Sequence, residues 1–130
     1  KNALYKSTDG GYKWKMINSD MGEIGNRPFY YAELYTDPSN ENRVYTIFTY
    51  VNVSEDGGKS FKELMPAYGT EVGVHPDHHA WYIHPNKPDM MLDGNDGGLN
   101  ITYDGGKTWR FVQNLPVGQF YHINVDNDYP

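Results

Sequence analysis

The chain has 130 residues, of which 17 are acidic and 11 are basic, so its formal charge is −6. A net negative surface is repelled by phosphate backbones, and the apolar runs are short, so we expect neither a nucleic-acid partner nor insertion into a membrane. The absence of cysteine excludes disulfides, zinc–thiolate sites and thiol nucleophiles. Twelve tyrosines and three tryptophans offer large apolar surfaces, so the composition favours one globular, β-rich domain with an aromatic core.

The apolar and aromatic pattern predicts β-strands that fall into units of four, and it predicts no helix. In chain order, the expected strands are 3–7 and 12–17 in a half-blade at 1–17; 31–36, 43–49, 51–54 and 59–64 in a blade at 31–64; 80–84, 90–93, 98–102 and 107–112 in a blade at 80–112; and the first strand of a further blade at 120–126. Four-stranded units with a period in the forties are typical of a β-propeller.

A propeller closes with about four to eight blades. The two full blades and the part-blades predicted here cannot close such a ring. We therefore expect the chain to be a fragment of one β-propeller domain, packed against the remaining blades of a longer chain.

Three segments, 7–14, 54–61 and 102–109, repeat one another at separations of 47 and 48 residues. In each, a hydroxyl residue closes one strand, Asp-Gly-Gly makes a tight turn, and an aromatic residue opens the next strand. The carboxylate can accept the turn's N–H groups, and glycine tolerates the positive φ that such turns require. We therefore assign a structural role to twelve residues: Ser7, Asp9, Gly11, Trp14, Ser54, Asp56, Gly58, Phe61, Thr102, Asp104, Gly106 and Trp109.

The strands of a blade run alternately up and down, which predicts two different faces. The three Asp-Gly-Gly hairpins should share one face with the first-to-second connections at 37–40 and 85–88. The opposite face should collect the second-to-third turns and the long loops at 18–30, 65–79 and 113–119. Long loops on a rigid scaffold are the usual place for binding, so we expect the ligand on that second face.

The loop before the second full blade carries His75, Asp77, His78 and His79. Such residues can bind a divalent cation or act as acid and base, but this loop spacing does not gather them at one point, so we expect no metal and no cofactor. Asp96, in the turn 93–99, should project on the same face. The other candidates for facing a ligand are Arg27, Tyr30, Gln119 and His122. Aromatic rings beside carboxylates and amides suit a sugar.

The repeated segments resemble the Asp-box, or BNR repeat, of sialidases, xyloglucanases and sortilin-type receptors. The strings at 26–33, 74–80, 94–98 and 115–121 resemble bacterial exported proteins described as BNR-repeat glycosyl hydrolases. The resemblance implies an all-β propeller in a secreted or surface-attached protein. Xyloglucanases invert the anomeric carbon with two aspartates, one of them in an Asp-x-Gly-Gly turn. The turn at 96–98 is similar but one residue shorter, which makes Asp96 the candidate catalytic residue.

Two functions remain open on the sequence alone. The first is a propeller that binds or cleaves glycans, with a polysaccharide as its partner. The alternative is a non-catalytic, sortilin-like module that binds a peptide or protein in a cell-surface or secretion complex. A second catalytic carboxylate on another propeller would lie outside these residues, so we expect the chain alone to be inactive as a glycosidase.

Overall fold

The computed structural model describes residues 2–65, 73–118, 120, 122–126 and 128. Its strands are β1 Leu4–Lys6, β2 Lys15–Asn18, β3 Glu33–Asp37, β4 Asn40–Ile47, β5 Val51–Ser54, β6 Lys62–Glu63, β7 His78–Ile83, β8 Met91–Asn95, β9 Gly98–Thr102 and β10 Arg110–Phe111, and its one helix among these residues is α1 Met21–Ile24. No helix in the described part of the chain has the length and apolar character needed to cross a membrane.

The strands form two antiparallel four-stranded sheets in sequence order, β3-β4-β5-β6 and β7-β8-β9-β10, and one two-stranded sheet, β1-β2. We refer to them as the first blade, the second blade and the half-blade. Tyr45 lies opposite Val53 in the first blade and Trp81 opposite Asp93 in the second. The register shifts once in each full blade, between Thr36 and Asp37 and between His78 and Ala80. The predicted fold class, all-β with incomplete propeller blades, is confirmed.

The bounds of most strands differ from the expected ones, and three differences affect how the blades are built. The inner strand of the second blade begins at His78, before the expected residue 80, because His78 pairs with Asn95. The outer strands β6 and β10 shorten to two residues each, because the hairpin turns occupy the residues before them. The described residues of 120–126 form no strand, since no strand within the described residues pairs with them.

The expectation of no helix was wrong, because α1 forms a single turn after the half-blade. The Asp20 side chain caps its N-terminus by accepting from the Gly22 N–H at 2.8 Å, and Gly25 ends it with a φ of 93°. One turn is too short to show helical periodicity. The sequence does contain one indication of this helix start: Asp20 is followed three residues later by Glu23, which is the spacing of a capping box.

Helix α1 fastens the half-blade to the first blade through Glu23. The Glu23 carboxylate accepts from the Asn18 side chain at 2.6 Å and from the Phe61 N–H at 3.4 Å. The Glu23 carbonyl accepts from the Thr46 hydroxyl at 2.6 Å and from the Asn52 amide at 3.1 Å. These bonds join residues of β2, β4 and β5 to one turn, which fixes the half-blade beside the first blade.

The core between the two full blades is aromatic. Trp81 lies between Tyr45 and Trp109, with ring centroids 5.5 and 5.6 Å away, and Ile47 and Met91 are fully buried in the same cluster. Burial raises the pKa of Tyr45 to about 12. The tyrosine and tryptophan content thus supplies the packing between blades, as the composition indicated.

Each Asp-Gly-Gly hairpin is held by its hydroxyl residue and its aspartate. In the first blade the Ser54 hydroxyl donates to Asp56 Oδ1 at 2.8 Å and accepts from the Gly58 N–H at 2.8 Å. Asp56 also accepts from the N–H and the hydroxyl of Ser60. The other two hairpins repeat the bonds from the hydroxyl residue, with Ser7 and Asp9 in one and Thr102 and Asp104 in the other.

These hydrogen bonds lower the pKa of all three hairpin aspartates. Bonds from the hydroxyl and N–H of Thr108 lower the pKa of Asp104 to about 2, and the matching bonds from Ser60 hold the pKa of Asp56 well below its usual range. The first hairpin has Lys13 at the position of these hydroxyl residues, so the pKa of Asp9 is lowered by the Lys13 N–H and the Ser7 hydroxyl. All three carboxylates stay ionised and engaged in their turns.

The second glycine of a hairpin lies against the preceding blade. A Cβ on Gly58 would come within 2.5 Å of Leu4 Cδ2 in the half-blade, and a Cβ on Gly106 within 2.8 Å of Leu64 Cδ1 in the first blade. The first glycine, Gly57, donates its N–H to Asn42 O at 2.9 Å. That bond places the hairpin beside the first-to-second connection of its own blade, on the face that the alternation of strands predicted.

We expect Gly58→Ala to lower the free energy of unfolding by more than Gly11→Ala. Both glycines have a φ near 90° (90° and 95°), but the nearest atom to a Cβ on Gly11 is Trp14 Cζ2 at 3.8 Å. The left-handed φ should cost about 1 kcal/mol in each variant, and the overlap with Leu4 about 1–3 kcal/mol more in Gly58→Ala. Urea unfolding of both variants measures the difference. Equal losses would show that the glycine contact does not set blade spacing.

Acid should weaken the fold through the hairpin aspartates. Because the folded pKa of Asp104 lies below its value in an unfolded chain, about 3.9, its stabilising effect is present above that pH and is lost as the pH falls toward about 2. We expect Asp104→Ala to be less stable than wild type at neutral pH and the two to converge toward pH 2. Unfolding measured from pH 6 to pH 2 tests this. A difference in unfolding free energy between Asp104→Ala and wild type that stays constant over that range would contradict the account.

Candidate functional site

The candidate site lies at the end of the blades opposite the hairpins, where the long loops meet; we call this end the loop face and the other end the hairpin face. Here the loop before the second blade bonds to the second-to-third turn of the first blade. The Asp77 N–H donates to Thr49 O at 3.2 Å, and the His78 N–H donates to Phe48 O at 2.9 Å. Two neighbouring blades therefore build the site together.

Buried Tyr31 and half-buried Asp77 form its inner part. The Tyr31 hydroxyl donates to Asp77 Oδ1 at 2.5 Å and also lies 2.8 Å from the Thr49 hydroxyl. Burial, followed by the hydrogen bond to Asp77, raises the pKa of Tyr31. Asp77 has a φ of 64°, in the left-handed region that non-glycine residues seldom adopt.

His79, Asp96 and Tyr30 form the exposed part. His79 Nε2 lies 3.0 Å from Asp96 Oδ1, and about two fifths of each side chain is exposed (39% and 40%). Tyr30, which is 70% exposed, packs edge-on against Tyr31 and His79 with ring centroids 5.0 and 6.0 Å away. The result is the accessible aromatic ring of Tyr30 packed on the His79 imidazole, which in turn pairs with the Asp96 carboxylate. We call Tyr30, Tyr31, Thr49, Asp77, His79 and Asp96 together the loop-face cluster.

The Asp96 carboxylate is directed to His79 and not to its own turn. Within that turn the Gly97 N–H donates to Asn95 Oδ1 at 2.8 Å, so the amide side chain takes the role that an aspartate plays in the hairpins. The Asp96 N–H donates to Asp77 O at 3.2 Å. Asp96 is thus carried on the loop face beside the second blade's first strand, the position that the sequence predicted for it.

His78 was expected to face a ligand, but it is buried. His78 Nδ1 lies 2.9 Å from Asp93 Oδ1, both side chains are at most 3% exposed, and Asn95 donates to the other Asp93 oxygen at 2.7 Å. The reason is that β7 already begins at His78, which pairs with Asn95, and the register shift between His78 and Ala80 leaves His79 as the extra, exposed residue. His78 therefore points into the blade, whereas His79 points out.

The remaining candidates do not join the loop-face cluster. His75 Nδ1 lies 2.9 Å from Pro76 O, and a Cβ on Gly97 would come within 2.6 Å of His75 Cβ, so His75 packs under the 95–98 turn. The carbonyl of exposed Arg27 accepts from the N–H groups of residues 30 and 31. His122 is exposed and in no strand, and Gln119 lies outside the described residues.

No three His, Cys, Asp or Glu side chains come together as a metal site within the described residues. His75, His78 and His79 each have a different partner, and Asp77 is bound to Tyr31. These side chains therefore take part in separate hydrogen bonds.

Sequence reasoning missed Thr49 and the polar role of Tyr31. Tyr31 is indeed a core residue, with 6% exposure, but its hydroxyl also joins the two blades. Thr49 lies two residues after the end of β4 and contributes through its backbone carbonyl as well as its hydroxyl. No local pattern marks such a residue, because its partners lie 18 and 28 residues away along the chain.

A larger opening lies between the two full blades on the hairpin face, with a volume of about 740 Å³. It is lined by Arg43, Tyr45, Glu55, Lys62, Asp89 and Lys107, among others. Arg43, one of the cations that line this opening, already forms ion pairs with buried Asp37 at 3.3 Å and with Glu55 at 3.1 Å. The carboxylate of Asp104 is likewise held by its hairpin. We therefore place the candidate site on the loop face.

Comparison with known proteins supports the fold and the resemblance in the sequence. The model of the Sortilin-Vps10 family, described as "Sortilin, neurotensin receptor 3", matches residues 2–126. An oligoxyloglucan-reducing end-specific xyloglucanase of Emericella nidulans is 27% identical over 147 aligned positions, which cover 96% of this chain and 18% of that protein. The chain thus spans less than a fifth of that relative's length. Because the family match extends over nearly all residues, the chain belongs to the Sortilin-Vps10 family.

Proposed function

We propose that the chain is part of a carbohydrate-binding propeller and that the exposed residues of the loop-face cluster contact the sugar. The observation that carries this proposal is the exposed Tyr30 ring, which packs against His79, together with the accessible Asp96 carboxylate 3.0 Å from His79 Nε2. Sugar rings stack on aromatic faces and form hydrogen bonds at their edges, so a site for them combines a ring with a few polar groups. The similarity to a xyloglucanase supports a glycan as the ligand class.

The Tyr30 ring has packing partners in the absence of a ligand. The backbone N–H of Tyr30 donates to Arg27 O at 3.0 Å, and the ring packs edge-on against the rings of Tyr31 and His79. A preorganised ring loses little conformational freedom on binding, which favours affinity. Hydrogen bonding and stacking need no cofactor, and none is proposed. We further propose that the protein works outside the cell, where a polysaccharide ligand would be met.

A peptide or protein partner is the second candidate, because the family description names a neurotensin receptor. The same exposed ring could pack against a peptide side chain, and Asp96 could accept from peptide N–H groups. The two candidates differ in their ligands and not in the residues involved. Binding tests with both ligand classes therefore separate them.

We expect Tyr30→Ala to weaken binding of a xyloglucan oligosaccharide by at least about tenfold, because it removes the ring on which the sugar stacks. Isothermal titration calorimetry on the intact protein measures this. The matched control is Tyr12→Ala, since Tyr12 is 90% exposed but lies in the first hairpin, on the opposite face. The control should bind as wild type does.

Two outcomes would contradict the proposal. In the first, wild type binds no oligosaccharide from a panel of plant and bacterial polysaccharides but does bind a peptide, which would establish the second candidate. In the second, Tyr30→Ala and Tyr12→Ala bind equally well, which would place the sugar away from the loop face.

Asp96 is the residue that we propose for acid–base chemistry, if the intact protein cleaves its glycan. Its carboxylate is accessible and lies 3.0 Å from His79 Nε2. Asp96→Asn keeps the shape but cannot transfer a proton, so we expect release of reducing ends to fall at least about 100-fold. Equal rates in wild type and Asp96→Asn would remove Asp96 from any catalytic role and leave a binding function.

A further inference from the structure

We propose that Asp77 is a positioning residue, which holds Tyr31 and Asp96 in the geometry that binds the sugar without contacting the sugar itself. This inference deepens the proposed function and rests on it. It also changes the interpretation of Asp77, which the sequence placed among the residues facing a ligand.

Asp77 connects three parts of the loop face at once. Its N–H donates to Thr49 O at 3.2 Å in the first blade, and its carbonyl accepts from the Asp96 N–H at 3.2 Å in the second. Its carboxylate accepts from the Tyr31 hydroxyl at 2.5 Å, at the start of the first blade. A single residue thus sets the distance between the aromatic side and the carboxylate side of the cluster.

The backbone of Asp77 indicates that its side chain has a specific role. Among the described residues it alone adopts a positive φ without being glycine, at 64°. Glycine adopts this conformation without strain, and asparagine and aspartate adopt it more easily than other residues. A strained conformation persists where surrounding bonds determine it, and such sites cluster where function needs a fixed geometry. Here the surrounding bonds are those to Thr49, Tyr31 and Asp96.

The carboxylate of Asp77 acts through Tyr31. Tyr31 is only 6% exposed and Asp77 is half-buried, so the hydrogen bond between the two is partly shielded from solvent. The Tyr31 ring lies 5.0 Å from Tyr30 and 5.1 Å from His79, measured between centroids. A Tyr31 ring that loses its acceptor can shift, and the two exposed rings resting on it would then shift as well.

The test compares Asp77→Gly with Asp77→Asn in the intact protein. Glycine keeps the backbone conformation and removes the acceptor, so we expect a melting temperature equal to or above that of wild type and oligosaccharide binding weakened roughly fivefold to tenfold. Asparagine tolerates the same φ and keeps an oxygen that accepts from Tyr31, so it should restore most of the lost affinity.

Binding data can overturn the inference in two ways. If Asp77→Asn binds as weakly as Asp77→Gly, then the negative charge itself is needed and Asp77 contacts the ligand. If Asp77→Gly binds as wild type does, then the cluster does not need Asp77 to hold it.

A second readout requires no ligand. The hydrogen bond from Tyr31 to Asp77 raises the pKa of Tyr31, whereas its bond with Thr49 lowers that pKa. Asp77→Gly should therefore lower the Tyr31 pKa, and Thr49→Val should raise it. NMR titration of ¹³C-labelled tyrosine measures both. A Tyr31 titration that Asp77→Gly leaves unchanged would overturn the inference. Absence of oligosaccharide binding in wild type, with the expected Tyr31 shifts, would instead count against the proposed function alone.

Discussion

In the two full blades, the close approach of the second hairpin glycine to the preceding blade is the constraint on which the rest of the structure depends. Gly58 lies against Leu4 and Gly106 against Leu64, so both full blades meet the preceding one through the same kind of contact. Only a residue without a Cβ allows this contact, and the left-handed φ of the turn independently favours glycine there. The hydroxyl and aspartate bonds then hold the turn in that shape. The loop-face cluster needs this spacing, because Tyr31 and Thr49 come from one blade and Asp77 from the loop that leads into the next.

The aspartates of this chain fall into groups with different chemistry, although the sequence presents them in similar Asp-Gly settings. Asp56 and Asp104 are surrounded by donors from their own turns, which lowers their pKa and keeps them ionised and structural. Asp96 has its own turn satisfied by Asn95, so its carboxylate remains accessible beside His79. Asp-Gly dipeptides thus have different roles. In the hairpins the aspartate accepts from the N–H groups of its turn, whereas in the turn of Asp96 the Asn95 side chain does so.

Much of the fold could be predicted from the sequence, because the repeated Asp-Gly-Gly segment indicates a structure that each copy forms. The 47-residue spacing of Asp9 and Asp56 predicted the blades, the hairpins and the face they share. The features that the sequence did not predict are either very short or depend on residues that are far apart in the chain. Helix α1 is a single turn, too short for a periodic signal, and the burial of His78 depended on a strand start two residues earlier than expected. The hydrogen bond between Tyr31 and Asp77 joins residues 46 positions apart, and no pattern along the chain predicts it.

The central claim is that the loop face, built by two blades, binds carbohydrate. The most direct test is to map amide chemical-shift changes in the intact, ¹⁵N-labelled protein as a xyloglucan oligosaccharide is added. The account predicts saturable changes at residues 30, 79 and 96, with the three Asp-Gly-Gly hairpins unaffected. Changes confined to the hairpin face, for example around the opening lined by Arg43 and Lys107, or no saturable changes with any glycan, would contradict it.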